Sequence, residues 1–173
     1  LVTPDPSVTF TPDTAGLWRI SLVVTDNSGN ESAPTELAIN VATPPFELDS
    51  VASRKTHGSS GDFDLPIKPG IPVTGSVTVE PRISQAGHRI VFTFNAPVAS
   101  FGAATATDQT GAPIGVASAV KNGNELVVTL TSIPNASRVL VSVPGVNGGV
   151  NAQVTVGFLQ GDVTGSRLVD AAD

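Results

Sequence analysis

The chain has 173 residues, a formal net charge of −6 and a pI near 4.7. It contains no cysteine, which excludes disulfides, thiolate nucleophiles and zinc–thiolate sites within it. The negative charge, with no run of Lys or Arg, argues against nucleic-acid binding, and no apolar stretch approaches the roughly 20 residues of a membrane-spanning helix. Glycine (17) and proline (14) are abundant, so short β-strands separated by turns are favoured over helices.

Three strands are predicted in residues 7–42, in the stretches SVTFTP, GLWRISLVVTD and TELAINVA. The sequence NSGN supplies the turn before the third strand, because Gly29 can adopt positive φ. In the second strand the alternate positions from Trp18 to Val24 are all apolar, whereas the opposite face is mixed. We therefore expect the apolar face to point inward, as in a strand of a β-sandwich.

The stretch FTPDTAGLWRISLVVTDNSGNES resembles the latter half of a polycystic-kidney-disease-type (PKD) or related immunoglobulin-like domain, with Trp18 where that family usually has Tyr. The resemblance implies that residues 1–43 are the C-terminal half of such a domain. About seven strands close a sandwich of this kind, so we expect further strands to precede Leu1. The alternative is a strand donated by a neighbouring subunit, because an uncovered apolar face promotes association.

Residues 44–160 are predicted to form a β-sandwich domain. Nine short strand candidates follow one another here, with clear alternation of apolar residues at 90–94 and 126–130. Asn122-Gly123 is the strongest hairpin signal in the chain, and strands at this close spacing predict a sandwich or barrel. The predicted fold class is therefore all-β: two immunoglobulin-like β-sandwich modules in tandem, the first incomplete, with a short calcium-loop-like tail at residues 161–173.

A polar stretch, SRKTHGSSGDFD at residues 53–64, contains the side chains of a Ser–His–Asp set. Catalytic triads are assembled from distant segments on a rigid scaffold, so we interpret this stretch as a strand-connecting loop. It resembles an SRK.HG..G.FD signature of domains that precede dockerin-type tails in large secreted bacterial proteins, which implies a structural role. Glycoside hydrolysis needs two carboxylates, and the candidates are Glu47, Asp49, Asp62, Asp64 and Glu80. Acidic residues beside strands are more often surface groups, so we expect no enzyme.

The tail GDVTGSRLVDAAD, residues 161–173, places oxygen-bearing side chains at regular spacings. It resembles the first calcium loop of dockerin domains, a twelve-residue loop that wraps a hard cation. By this resemblance the calcium ligands are Asp162, Thr164, Ser166, the backbone carbonyl of Leu168, Asp170 and Asp173. Thr and Ser replace stronger Asn and Asp ligands, and Arg167 stands where such loops have Gly for a sharp turn. The alternative is a weakened repeat that remains as a polar tail.

Together these features predict a non-catalytic segment of a larger extracellular or cell-surface protein, with a structural or adhesive role. One form of this role is a self-assembling filament or surface-layer subunit, whose copies associate as homo-oligomers. The rival interpretation is an accessory, dockerin-bearing part of a secreted carbohydrate-active enzyme. In the dockerin family a cohesin-type partner is contacted at loop positions ten and eleven, and the matching Ala171 and Ala172 offer little specific recognition.

Overall fold

The computed structural model describes residues 9–169, and in this range the chain is all-β. The strands are β1 (Gly16–Leu22), β2 (Thr35–Val41), β3 (Leu48–Thr56), β4 (Asp62–Pro66), β5 (Thr78–Glu80), β6 (His88–Phe94), β7 (Thr105–Thr107), β8 (Val116–Asn122), β9 (Glu125–Thr131), β10 (Ser137–Val146) and β11 (Val150–Phe158). A 3₁₀ turn at Gly58–Ser60 separates β3 from β4, and no α-helix occurs between residues 9 and 169. The prediction of an all-β fold is confirmed.

The chain divides between Pro45 and Phe46 into two compact units. Unit 1 contains β1 and β2, and unit 2 contains β3 to β11. The division follows the Thr43-Pro44-Pro45 stretch, where consecutive prolines remove two backbone donors and so disfavour a paired strand.

Unit 2 is built from two sheets. The five-stranded sheet has the order β4-β3-β6-β9-β8, and all its pairs are antiparallel. The four-stranded sheet has the order β5-β11-β10-β7, in which β5 and β11 run parallel. The predicted hairpin at Asn122-Gly123 is confirmed: it joins β8 to β9, and Asn122 pairs with Glu125 across the turn. An arrangement of two such sheets is consistent with a β-sandwich.

Both sheets of unit 2 contribute to one hydrophobic core. Its members alternate along the strands as the sequence predicts, and the largest fully buried side chains include Phe92, Phe94, Ile90, Leu126, Leu130, Val128, Val139, Val141 and Val143. The alternate residues of these strands point away from the core, as the pleat requires. Burial of a side chain of this size stabilises the fold by roughly 1.5–3 kcal/mol relative to its exposed state.

Unit 1 is a two-stranded antiparallel hairpin with one apolar and one mixed face. In the β1–β2 register Trp18 lies opposite Ile39 and Ile20 opposite Leu37, and directly opposed residues share a face. One face carries Gly16, Thr35 and six apolar side chains, which are called the apolar hairpin face below: Trp18, Ile20, Leu22, Leu37, Ile39 and Val41. The opposite face carries polar residues, including an exposed ion pair between Arg19 and Glu36 at 3.3 Å.

The apolar hairpin face is partly open: Trp18, Ile39 and Val41 are half-buried, and the other three side chains are exposed. Leu22 is 62 % exposed and Leu37 is 59 % exposed, while the partly buried Trp18 has the ring of Phe10 at 5.1 Å. Unit 1 has no second sheet among the described residues, so the expectation that this face points into a core is not tested by them and stays a prediction. The strand predicted at SVTFTP is also absent from its described part, residues 9–12, where Phe10 packs on Trp18 by its ring and not by backbone pairing.

Candidate functional site

The polar stretch 53–64 forms the end of β3, the 3₁₀ turn and the start of β4. Ser53 is 2 % exposed, and its hydroxyl donates a hydrogen bond to the carboxylate of Glu80. The ring of His57 lies edge-on to Phe63, with the ring centres 5.1 Å apart. Ser53 and His57 thus take part in packing. The interpretation of this stretch as a loop is wrong for residues 53–56 and 62–64, which lie in β3 and β4, because their backbones pair with each other.

A buried ion pair joins the two sheets of unit 2. Glu80, at the end of β5, is 2 % exposed, and Arg82 binds its carboxylate through Nε at 2.7 Å and Nη2 at 2.6 Å. Arg82 also donates to the carbonyl oxygens of Phe63 and Ser53. Burial disfavours the charged carboxylate, yet hydrogen bonds from Arg82 and Ser53 outweigh it and hold the pKa of Glu80 below its usual value.

A second arginine bridges carboxylates across the outer face of the five-stranded sheet. Arg54 contacts Asp64 on β4 and Glu125 on β9, each through two hydrogen bonds of 2.8–2.9 Å. The hydrogen bonds to Asp64 and then to Glu125 raise the pKa of Arg54. Val91 on β6 lies on the same face and is 1 % exposed. Arg54 on β3 thus links β4 on one side to β9 on the other, across the intervening strand β6.

A third arginine holds the remaining carboxylate of the polar stretch. Asp62 accepts hydrogen bonds from the hydroxyl of Thr56 and from Arg89 at 2.9 Å, and these two contacts, Thr56 first, keep the pKa of Asp62 low. Asp62, Asp64 and Glu80 therefore each meet an arginine. These contacts lower the pKa of Asp62 and of Glu80, whereas a general acid needs a raised pKa.

Asp162 organises the described part of the tail. It is 1 % exposed, and its Oδ1 accepts a hydrogen bond from the Ser166 N–H at 2.8 Å, while Oδ2 accepts one from the Arg167 N–H at 2.7 Å. The backbone at Arg167 has a φ of +71°, in the left-handed region that normally favours glycine. A dockerin-type calcium loop needs a sharp turn at this sixth position. The tail adopts that turn although the residue is arginine.

Four of the six predicted calcium ligands lie within the described residues: Asp162, Thr164, Ser166 and the carbonyl of Leu168. The Thr164 hydroxyl is 3.5 Å from Asp162 Oδ1, and the Ser166 hydroxyl donates to the Leu168 carbonyl at 3.1 Å. Asp170 and Asp173 lie outside the described residues. Within residues 9–169 no group of three or more His, Cys, Asp or Glu side chains could hold a metal. Calcium takes six to eight oxygen ligands, and among the four described donors only Asp162 offers a carboxylate.

The two units share a turn geometry that the sequence analysis missed, although it predicted a turn at NSGN in unit 1. At residues 26–30 and 108–112 an aspartate begins the turn, and its Oδ1 accepts hydrogen bonds from the N–H groups two and four residues later, at 2.8 and 2.9 Å for Asp26 and 2.7 and 3.1 Å for Asp108. In both, the aspartate N–H donates to the carbonyl four residues on at 2.9 Å, and an antiparallel bridge closes the turn outside it. The shared pattern Thr-Asp-x-Ser/Thr-Gly was the available signal.

Comparison with known proteins identifies no related family or protein for this chain. No protein-family model matches the chain, and a search of curated proteins found no match either. None of the helical structure in residues 9–169 is long and apolar enough to cross a membrane.

Proposed function

We propose that the chain is a non-catalytic, extracellular structural or adhesive segment of a larger protein, built from immunoglobulin-like β-sandwich modules. In this proposal residues 1–43 are the C-terminal half of a PKD-type sandwich, and further β-strands of the same polypeptide cover the apolar hairpin face. The observation that carries the proposal is the exposure of that face in unit 1.

The expected low stability of unit 1 alone supports the proposal that further strands pack on the apolar hairpin face. A lone two-stranded hairpin is at best marginally stable in water, and this one leaves Leu22 and Leu37 more than half exposed. Covering each of these two leucines would stabilise the unit by about 2 kcal/mol. The turn shared by residues 26–30 and 108–112 supports the view that the two units are modules of related construction.

The polar residues of unit 2 support a structural role. Glu80, Asp62 and Asp64 are bound by arginines from other parts of unit 2, and Ser53 is buried against Glu80. Each of these groups is used to hold strands together. These contacts hold the sheets together without a bound ligand, as a structural spacer requires.

Dye binding tests the uncovered face. We expect the isolated chain to bind the hydrophobic dye ANS through the apolar hairpin face, and Leu22→Lys to reduce that binding strongly. Leu17→Lys is the matched control, because Leu17 is 61 % exposed on the opposite face of the same strand. Addition of the parent protein's preceding strands should abolish dye binding and shift the emission of Trp18 to the blue.

Two results would count against this proposal. A monomeric chain that binds no dye would show that unit 1 needs no cover. Dye binding that falls with rising protein concentration, together with oligomer formation, would show that a second copy supplies the cover, in place of the same polypeptide.

A second candidate function is an accessory, dockerin-bearing part of a secreted carbohydrate-active enzyme, anchored by a cohesin-type partner. The observation that favours it is the backbone of the tail, in which the Asp162 carboxylate accepts the N–H groups of Ser166 and Arg167 around a positive φ. Bound calcium would neutralise the Asp162 carboxylate and fix the loop that presents the partner surface.

Calcium titration of Arg167 variants tests this candidate. Arg167→Gly removes a positive charge beside the cation and the steric cost of positive φ, about 1 kcal/mol, so it should bind calcium more tightly than the native chain. Arg167→Ala removes the charge alone and should lie between them, while Asp162→Ala should abolish binding. If calorimetry of Arg167→Gly gives no heat at millimolar calcium, the tail is a weakened repeat and this candidate is retired.

A further inference from the structure

Strand β8 is an open edge of the five-stranded sheet. Its seven residues, Val116–Asn122, pair with β9 on one side, and in the described part of the chain no strand pairs with its other side. An edge of this kind presents a row of unpaired N–H and C=O groups to which another strand can add.

The hydrogen-bond pattern shows which backbone groups are free. The Phe94 N–H on β6 donates to the Asn124 carbonyl at 2.9 Å, so even-numbered residues at the start of β9 point toward β6. Successive residues of a strand point their backbone groups to opposite sides, so the odd-numbered residues of β9 bond the even-numbered residues of β8. The N–H and C=O groups of Ala117 and Ala119 therefore point away from the sheet.

The other three sheet edges of unit 2 carry features that hinder strand addition, and residues 116–120 of β8 do not. The edge strand β4 has Asp62, Asp64 and Pro66, and charged residues and proline both protect an edge. The edge strands β5 and β7 have only three residues each. The first five residues of β8 are uncharged and apolar or small, and Lys121 comes only near the end.

The sequence of β8 matches itself when it is reversed. Residues 116–120, VASAV, form a palindrome centred on Ser118. Two such strands placed antiparallel about a twofold axis at Ser118 bring Ala117 opposite Ala119 of the other copy. Because both residues have outward backbone groups, each such pair exchanges two hydrogen bonds, and the symmetry provides the pair twice.

We propose that β8 pairs with β8 of a second copy of this chain, antiparallel about Ser118, and joins the two five-stranded sheets into one. The side chains agree with this register. Val116 and Val120 are 62 % and 67 % exposed on the outer face, and the axis places Val116 of one copy across from Val120 of the other. Cross-strand pairs of β-branched residues contribute to sheet pairing, and no charge lies at the centre to oppose the contact.

The dimer is weak and depends on concentration. A five-residue edge is small beside the roughly 800 Å² per partner of a stable complex, so the dissociation constant lies far above the nanomolar range. Such an edge contact suits lateral association among many copies held close together, where linkage raises the effective concentration. The proposed β8–β8 contact does not depend on which strands pack on the apolar hairpin face.

Charge substitution at the axis tests the register. Ser118→Lys places two like charges directly opposite each other and should abolish the dimer in sedimentation equilibrium of the full chain. Ser50→Lys is the matched control, because Ser50 is exposed on the same face three strands away, and it should leave the dimer intact. An equimolar mixture of Ser118→Lys and Ser118→Asp should dimerise again, because only a twofold axis at this residue brings the two charges together.

A disulfide provides a second test that does not depend on affinity. The chain has no cysteine, and a non-hydrogen-bonded antiparallel pair has Cα atoms about 4.5 Å apart, within the range that a disulfide spans. Ser118→Cys should form a covalent dimer under mild oxidation, and Ser50→Cys should not. Repetition in a Leu22→Lys background removes association through the hairpin face. A native chain that remains monomeric at millimolar concentration, or equal cross-linking at the two positions, would overturn the proposal.

Discussion

The Glu80–Arg82 pair matters to the stability of unit 2 because its carboxylate is almost wholly buried, with 1 % of the side chain exposed. Arg82→Met leaves Glu80 buried without a cation, and loss of one partner of a buried pair costs about 3 kcal/mol. We therefore expect Arg82→Met to lower the free energy of unfolding by about that amount. Urea denaturation at neutral pH measures it.

Arg89→Met is the control for this prediction. It removes the same kind of side chain from an ion pair with Asp62, in which 34 % of Arg89 and 44 % of Asp62 are exposed. Solvent screens such a pair, so its loss should be clearly smaller. Equal losses for the two variants would show that burial of Glu80 does not set the cost.

We expect His88 to give the stability of unit 2 a pH dependence near neutrality. Its ring lies 4.5 Å from that of Phe158, and burial, partly offset by the charge of Glu80, lowers its pKa. The unfolded chain therefore takes up the proton first, near pH 6.5, so stability falls as the pH drops from about 6.5 toward the folded pKa. The carboxylate of Glu80 has a lowered pKa, and its contribution is lost only at more acid pH.

We expect His88→Phe to flatten the stability curve between pH 7.5 and pH 5, since the substituted residue cannot take up a proton. Unfolding free energies at several pH values measure the slope, and comparison of slopes cancels any change in packing. A variant with the native slope in this range would assign the pH dependence to another group.

Ser53 shows how far a single residue could be predicted from the sequence. Its place in a polar stretch made it a catalytic candidate, yet it follows Val51 by two positions, so it lies on the same, inward face of β3. Strand alternation alone would have predicted its burial. Its partner Glu80 comes from a distant strand, and no local pattern indicates that contact.

At the level of elements, all nine strands predicted in unit 2 are found at overlapping positions. Alternation is a local property, and a period of two is enough to locate a strand. The parallel pairing of β5 with β11 was not predicted, because it joins residues far apart in sequence. The strand predicted at residues 9–12 is not found. A strand forms only where a second strand supplies hydrogen-bond partners, and a local pattern does not show whether such a partner is present.

The turn shared by the two units is an element whose geometry depends on one carboxylate. Hydrogen bonds, first that from the Thr110 side chain, lower the pKa of Asp108. Asp108→Ala should lower the melting temperature because the N–H groups of the turn lose their acceptor, whereas Asp108→Asn retains an acceptor oxygen and should melt close to the native chain. Thermal unfolding followed by circular dichroism measures both. If asparagine is as harmful as alanine, the charge and not the acceptor stabilises the turn.

At the scale of the whole molecule, the two units differ sharply in how they bury apolar surface. The core side chains come from residues 51–158, all in unit 2, whereas the large apolar side chains of the hairpin stay partly or largely exposed. A chain with such unequal parts is not expected to unfold in one two-state step. Trp18 is the only tryptophan, and no tyrosine is present, so its fluorescence reports on unit 1 alone.

We therefore expect two separate transitions in urea. Trp18 fluorescence should change at low denaturant, since unit 1 lacks a core, and the far-ultraviolet circular dichroism of unit 2 should change at higher denaturant in a steep step. A chain shortened to residues 46–173 should keep that second transition at the same midpoint, because every member of the core remains. Coincident transitions in the full chain, or loss of the steep step on shortening, would mean that unit 1 contributes to the stability of unit 2. The exposed face of β1 and β2 would then be no sign of a missing partner, and the proposed role as an incomplete sandwich module would have to be abandoned.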